Sequence, residues 1–215
     1  MPILAFLALV LSWTGSGPQC RDQAGPQSPQ PVRSALKKRP AGNDRGEISS
    51  MHPRHFAISH ASRPALVIPE ASETVTYGEL ESAANRGAHL LRRVGCKRGD
   101  VIAVLMDNES AIFEVSWAAQ RIGLYLTSIS TKLSAADVAY ILKDANARVL
   151  VASDRLALLA AAALREVPGV AGYIVNAASE GLASWRDAAA HCPEMPVPDE
   201  SAGTDMLYSS GTTGR

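Results

Sequence analysis

An excess of charge of either sign is missing: 21 basic and 21 acidic side chains leave the 215 residues formally neutral. Neutrality gives no support for a generally basic, nucleic-acid-binding chain. Cysteine is scarce: Cys20, Cys96 and Cys192 form no C-x-x-C pair and are odd in number. That excludes a disulfide-stapled mini-protein and leaves zinc without a ligand set. The thiols read as reduced and incidental in a cytoplasmic protein. No apolar stretch is long enough to cross a bilayer. The N-terminal run, Ile3 to Leu11, has nine residues, against about 20 for a spanning helix. No serine sits in a G-x-S-x-G elbow, so a serine hydrolase has no nucleophile. The carboxylates are scattered, and no two are spaced as an acid/base pair. His52, His55 and His60 match no usual metal-ligand spacing, so no metal site is expected and a surface segment is.

What is present falls into two unlike segments. Residues 1–50 hold six Pro, five Gly, six Lys/Arg and three Asp/Glu, a charge of +3. Residues 51–215 hold 15 basic and 18 acidic residues, a charge of −3. The first apolar run has the length of a signal peptide, but no Lys or Arg precedes it and no Ala-x-Ala site follows. Thr14 to Ser50 lacks apolar periodicity and cannot bury enough surface to offset its ordering entropy. The expectation is a disordered or spurious leader over residues 1–50, with Met51 as the functional start and one domain over residues 51–215.

After Met51, strands and helices alternate. Leu66-Val67-Ile68 and Glu73 to Thr76 read as a small hairpin. Thr76-Tyr77-Gly78-Glu79 fits a capping box. The helix it opens puts Leu80, Ala83, Ala84, Leu91 and Val94 on one face, and Gly95 stops it. Val101 to Met106 is a continuous apolar run, the pattern of a strand buried on both faces. A helix over about 111–122 follows, with Ser110 or Asn108 as its cap, and then a short run from Leu124 to Thr127. Ser134 caps a helix carrying Val138, Ile141, Leu142 and Ala145. Arg148 to Ala152 is another buried strand, and an Ala/Leu-rich helix spans about 154–166. Val170 to Val175 is a strand, Trp185 to His191 a short helix, and Pro193, Pro196 and Pro198 mark a linker. Asp205 to Tyr208 is the last strand. The alternation predicts an α/β fold, a mostly parallel sheet with helices on both faces.

The last strand runs into Tyr208-Ser209-Ser210-Gly211-Thr212-Thr213-Gly214. Two glycines let backbone N–H groups approach a ligand, and four hydroxyls add uncharged donors. Such a loop at the carboxyl edge of a sheet suits phosphate oxygens. A Ser/Thr/Gly-rich surface turn has the same composition. A Walker A loop is excluded, because the glycines are three apart and no Lys-Ser/Thr follows.

Tyr208 to Gly214 resembles the phosphate-binding motif of the AMP-forming acyl/aryl-CoA synthetases. This adenylate-forming superfamily also holds luciferases and peptide-synthetase adenylation domains. The family pattern is Tyr/Phe-Ser/Thr-Ser-Gly-Ser/Thr-Thr-Gly-x-Pro-Lys-Gly. Seven positions match in order, and Arg215 stands at x. Thr76 to Leu80 with Asn85-Arg86, and Trp117 to Gly123 with Ala139 to Asp144, resemble the fatty acyl-CoA synthetase branch. The resemblance covers about residues 51–215 and implies the first subdomain of such an enzyme. It implies that Ser209, Ser210, Gly211, Thr212, Thr213 and Gly214 bind the β- and γ-phosphates of ATP. It further implies ATP, Mg2+ and CoA as substrates with a small carboxylic acid, a fatty acid in this branch. The acyl pocket, the Mg-binding Glu, the ribose-binding Asp and the catalytic Lys of the family would lie beyond residue 215. Two functions stay open. One is a ligase whose 215-residue chain is inactive alone; the other is a non-catalytic nucleotide- or protein-binding remnant. Peripheral membrane contact and oligomeric state also stay open.

Overall fold

The computed structural model describes residues 54–208. The leader of residues 1–50, the start at Met51, His52 and the loop Ser209 to Gly214 lie outside the described residues. A short helix, α1 (Arg54–His60), comes first and buries none of its residues. His55 and His60 are exposed on it, as a surface segment requires, although the helix itself was not anticipated. Strands β1 (Pro64–Ile68) and β2 (Glu73–Thr76) then form the expected antiparallel hairpin.

The next elements are α2 (Tyr77–Arg93), β3 (Val101–Leu105), α3 (Ala111–Gln120), β4 (Tyr125–Ser128), α4 (Ala135–Asp144) and β5 (Ala147–Ala152). They are followed by α5 (Ala157–Arg165), β6 (Ala171–Ile174), β7 (Ala183–Ser184), α6 (Trp185–Ala190) and β8 (Thr204–Asp205). Six strands form one sheet in the order β7-β6-β5-β3-β4-β8, and every pairing in it is parallel. Chain order reverses around β3. β4 lies on one side of it, and β5, β6 and β7 follow on the other. The crevice at the carboxyl ends of β3 and β5 is therefore the topological switch point.

Local chemistry explains the helix starts. The Thr76 side chain accepts from the Glu79 amide (3.3 Å), and Glu79 accepts from the Thr76 amide (2.8 Å). Ser134 and Asp137 build the same reciprocal pair at α4. Each pair satisfies two amides that have no partner within the helix. Gly95 follows α2 at φ 89°, a left-handed conformation that favours glycine. Ser110 does not cap α3: its backbone is already helical, and its hydroxyl donates to Glu73 Oε1 at 2.7 Å.

The strand period of two divides the core between the sheet's two faces. Ile102, Val104, Val149 and Val151 pack with α2, α3 and α6. Ala103, Leu105, Leu150 and Ala152 pack with α4 and α5. On α2 the buried set is Leu80, Ala84, Asn85, Gly87, Ala88, Leu90 and Leu91, while Ala83 and Val94 are only half-buried. Gly87 is part of this face for a steric reason. A Cβ there would lie 2.8 Å from Ala118 Cβ and 2.9 Å from the Trp185 ring. Trp185 is itself buried and meets Tyr173 edge-on at 5.8 Å.

The last strand departs from expectation. Only Thr204 and Asp205 pair with β4, at Tyr125 and Leu126, and one further bond joins the Met206 amide to Leu126 O at 2.7 Å. Leu207 then lies 72% exposed. β8 is an edge strand with β4 as its one partner among the described residues, and Leu207 and Tyr208 lie beyond the last bond of its ladder. Tyr208 instead donates its hydroxyl to Asp144 Oδ2 (2.7 Å) at the end of α4.

Replacing Gly87 by Val drives a branched side chain into Ala118 and Trp185. Overpacking of this kind costs about 2 kcal/mol, and the expected result is a lower urea midpoint with an unchanged slope.

Candidate functional site

Parallel sheets bind ligands beyond the carboxyl ends of their strands. Two polar assemblies lie near the sheet. The first occupies the switch point, on the loops after β3, β5 and β6. Ser153 Oγ accepts from the Asp107 amide (2.8 Å) and donates to Glu109, which joins the β3 and β5 loops. Arg155 grips both oxygens of Asp107, at 2.6 and 3.1 Å. Asp154 accepts from the amides of Asn176 and Ala177, at 3.1 and 3.2 Å. Arg186 spans Glu114 (2.6 Å), Asn176 (2.9 Å) and Ser110 (3.3 Å). Carboxylates scattered in sequence are thus gathered in space. Their bonds close on one another and stitch the crevice between β3 and β5. This assembly fastens loops.

Its electrostatics follow from burial. Desolvation raises the pKa of Glu109, chiefly against the hydrogen bond from Ser153. Burial also works to raise Asp154, but the Ala177 and Asn176 donors outweigh it and hold the carboxyl below its ordinary value. Burial pushes the Cys96 thiol up to about 11, which leaves it un-ionised and a poor nucleophile. Cys192 is also a buried, unpaired thiol. No group of three or more His, Cys, Asp and Glu among the described residues could hold a metal ion.

The second assembly lies under the segment that delivers β8. Arg121 ends α3, and its side chain is fully buried. Its guanidinium bonds Glu81 at 2.8 and 3.0 Å, Asn85, and Glu200 at 3.4 Å. Glu200 also pairs with Arg54. The sequence expectations named Asn85 and Arg121 only within family-like segments. The available signal was a polar side chain on the buried face of α2 and a cation at the end of an apolar helix.

The expected phosphate-binding residues, Ser209, Ser210, Gly211, Thr212, Thr213 and Gly214, begin immediately after the described residues. The structure brings the chain to their threshold. Tyr208 follows β8, on the side of the sheet where β4 is the nearest neighbour.

The model of the AMP-binding enzyme family matches residues 54–215. The chain belongs to the AMP-binding enzyme family. It is 33% identical over 156 residues to a long-chain-fatty-acid–CoA ligase of Mycobacterium tuberculosis, covering 70% of this chain and 30% of the relative. It is 30% identical over 159 residues to a 3-hydroxybenzoate–CoA ligase of Aromatoleum, covering 72% and 30%. A fatty acid–[acyl-carrier-protein] ligase of Streptomyces coeruleorubidus is 29% identical, covering 78% and 31%. The chain thus spans about three tenths of the length of these relatives. Among solved structures, an anthranilate CoA ligase with anthranoyl-AMP superposes with a TM-score of 0.68 at 22% identity, covering 75% of this chain and 32% of that one. A Mycobacterium tuberculosis fatty acyl CoA synthetase gives 0.65 at 24%, covering 74% and 32%. Both share the α/β fold described above. No described helix of this AMP-binding family member is long and apolar enough to cross a membrane.

Two outcomes follow. Glu109 has a raised folded-state pKa, so its ionisation destabilises the fold once the pH exceeds the ordinary value of 4.5. Glu109→Gln removes that penalty. The variant should melt above the wild type at pH 7, and the difference should vanish as the pH falls below about 4.5. Arg121→Met leaves Glu81 and Glu200 without their buried cation. It should lower the unfolding free energy by about 3 kcal/mol in a denaturant titration.

Proposed function

We propose that this chain is the phosphate-gripping subdomain of an AMP-forming acid–CoA ligase that acts on a fatty acid in the cytoplasm. The proposed domain is residues 51–215, with residues 1–50 as a leader. The carrying observation is the family match over residues 54–215, which includes Tyr-Ser-Ser-Gly-Thr-Thr-Gly at 208–214. Fatty acid is named ahead of aryl acid because Trp117 to Gly123 and Ala139 to Asp144 resemble the fatty acyl-CoA synthetase branch. The unpaired thiols Cys96 and Cys192 accord with a reducing compartment.

In the proposed first step a carboxylate oxygen of the acid attacks the α-phosphorus of ATP. The bond to the bridging oxygen breaks, and pyrophosphate leaves. The acyl-adenylate then loses AMP to the CoA thiol, whose proton departs as the thioester forms. This chain contributes to the first step. Ser209, Ser210, Thr212 and Thr213 donate hydroxyl protons to the β- and γ-phosphates, while Gly211 and Gly214 let main-chain amides come close. Negative charge accumulates on the departing pyrophosphate, so donors fixed there stabilise the transition state more than the ground state. Mg2+ would arrive with the triphosphate and neutralise part of its charge. The described residues offer it no ligand cluster, and the roles above do not pass through it.

Residues 54–215 can be grafted over the matching segment of the Mycobacterium tuberculosis fatty-acid ligase. The chimera should release pyrophosphate with ATP and a long-chain acid. Ser210→Ala or Thr213→Ala within it should lower kcat by about 100-fold. The 215-residue chain alone, given ATP, Mg2+, CoA and a panel of fatty and aryl acids, should release no AMP above background. A folded chimera that releases no pyrophosphate would make the chain a non-catalytic remnant. Turnover by the chain alone would refute its inactivity. The fatty-acid assignment falls if the protein from its native cells turns over aryl acids and leaves fatty acids untouched.

A further inference from the structure

The segment between α6 and β8 runs as a strap across α2 and the end of α3. It carries three prolines, Pro193, Pro196 and Pro198, and only Val197 among residues 193–200 enters the core. Apolar burial therefore does little to fix its course. Ion pairs and main-chain bonds remain. Arg86 pairs with Glu194 and Arg92 with Asp199, but the acidic partners are 59% and 67% exposed. Exposed pairs of this kind contribute little. The Arg121–Glu200 pair differs, because the two side chains are 0% and 12% exposed. A charge pair shielded from water is screened least and costs most to break.

The main chain is held at the same place. The last carbonyls of α3 have no partner within the helix. The Ser201 amide donates to Arg121 O (2.9 Å), and the Gly203 amide donates to Gln120 O (2.6 Å). The Thr204 amide then reaches Leu124 O (3.1 Å), which opens the β4–β8 ladder. The approach is close. A Cβ on Gly203 would overlap the Leu124 carbonyl oxygen, and one on Gly123 would lie 2.5 Å from Ser201 Oγ. Arg121 thus holds the strap twice, through its guanidinium at Glu200 and through its carbonyl at Ser201.

We propose that Glu200, clamped by buried Arg121, is the positioning residue that sets the register of β8 and thereby the start of the 209–214 loop. The link to phosphate rests on the function proposed above; the clamp itself does not. β8 contributes only two paired residues, too few to define its own register. Two residues, Leu207 and Tyr208, separate Met206, the last in the ladder, from Ser209. A slip of β8 by one position would turn every side chain in it to the other face and move the base of the loop. Glu200 is a positioning residue, since it acts through the strand.

The test is amide hydrogen exchange on the 215-residue chain. Glu200→Leu removes the carboxylate, Glu200→Gln keeps its shape without charge, and Glu194→Gln serves as the exposed control. In Glu200→Leu the Thr204 and Met206 amides should exchange at least about tenfold faster, a clearly larger factor than any acceleration of the β3 and β5 amides. Glu200→Gln should fall between, and Glu194→Gln should match the wild type. Unchanged Thr204 and Met206 exchange in Glu200→Leu overturns the clamp. Equal acceleration of β3 and β5 also overturns it, because the pair would then support only global stability. Adding ATP should slow exchange at Met206 to Tyr208 in the wild type and not in Glu200→Leu. If ATP has no effect on the wild type, the phosphate role of the loop falls, while exchange without nucleotide still decides the clamp. Equal slowing in Glu200→Leu and the wild type would overturn the positioning role.

Discussion

A parallel sheet cannot leave either face in water, because its strands carry apolar side chains on both. The pair β3 and β5 imposes that condition on everything around it. Ile102, Val104, Val149 and Val151 must be covered from one side, and Ala103, Leu105, Leu150 and Ala152 from the other. The α2–α3–α6 layer and the α4–α5 layer meet those two needs. Crossovers between parallel strands have one hand. The reversal of strand order around β3 therefore accompanies the change of helix layer, and the switch point falls between β3 and β5.

Polar groups follow from the same geometry with opposite consequences. At the switch point, Ser153, Asp107, Glu109 and Arg155 bond across the crevice and fasten it. On the α2–α3 side a charge is taken out of water. Arg121 sits beneath the strap, and its solvation is replaced by Glu81, Asn85 and Glu200. Such a pair need not add net stability over a packed apolar alternative, but it penalises any arrangement that separates its members. It therefore acts on where the strap lies more than on whether the domain folds. The edge strand β8, two residues long and exposed, is the element whose register we assign to it.

Much of this organisation was legible in the sequence wherever the governing interaction is local. The capping boxes at Thr76 and Ser134 involve residues three apart, so reading them needs no tertiary knowledge. The apolar run at Val101 to Met106 announced double-sided burial, and Gly95 announced a left-handed stop. Ser110 looked like a cap by the same local logic and is not one. Glu73, far away in sequence, takes its hydroxyl. The run Asp205 to Tyr208 looked like a strand, but its pairing with β4 stops at Asp205 and the Met206 amide, although β4 itself runs on to Ser128.

The sequence by itself determined the alternation of strands and helices, the two-faced strands, the helix starts and the motif that names the family. Each of these is written in spacings of seven residues or fewer, within reach of local hydrogen bonds and helix or strand periodicity. The tertiary structure alone decided which strands are neighbours, that Gly87 is the contact point of α2 with Ala118 and Trp185, and that Asn85, Glu81, Arg121 and Glu200 share one buried site. Those residues lie between 36 and 79 positions from Arg121 in the chain. Coulomb attraction and exclusion of water act through space, and no spacing rule along a sequence records them.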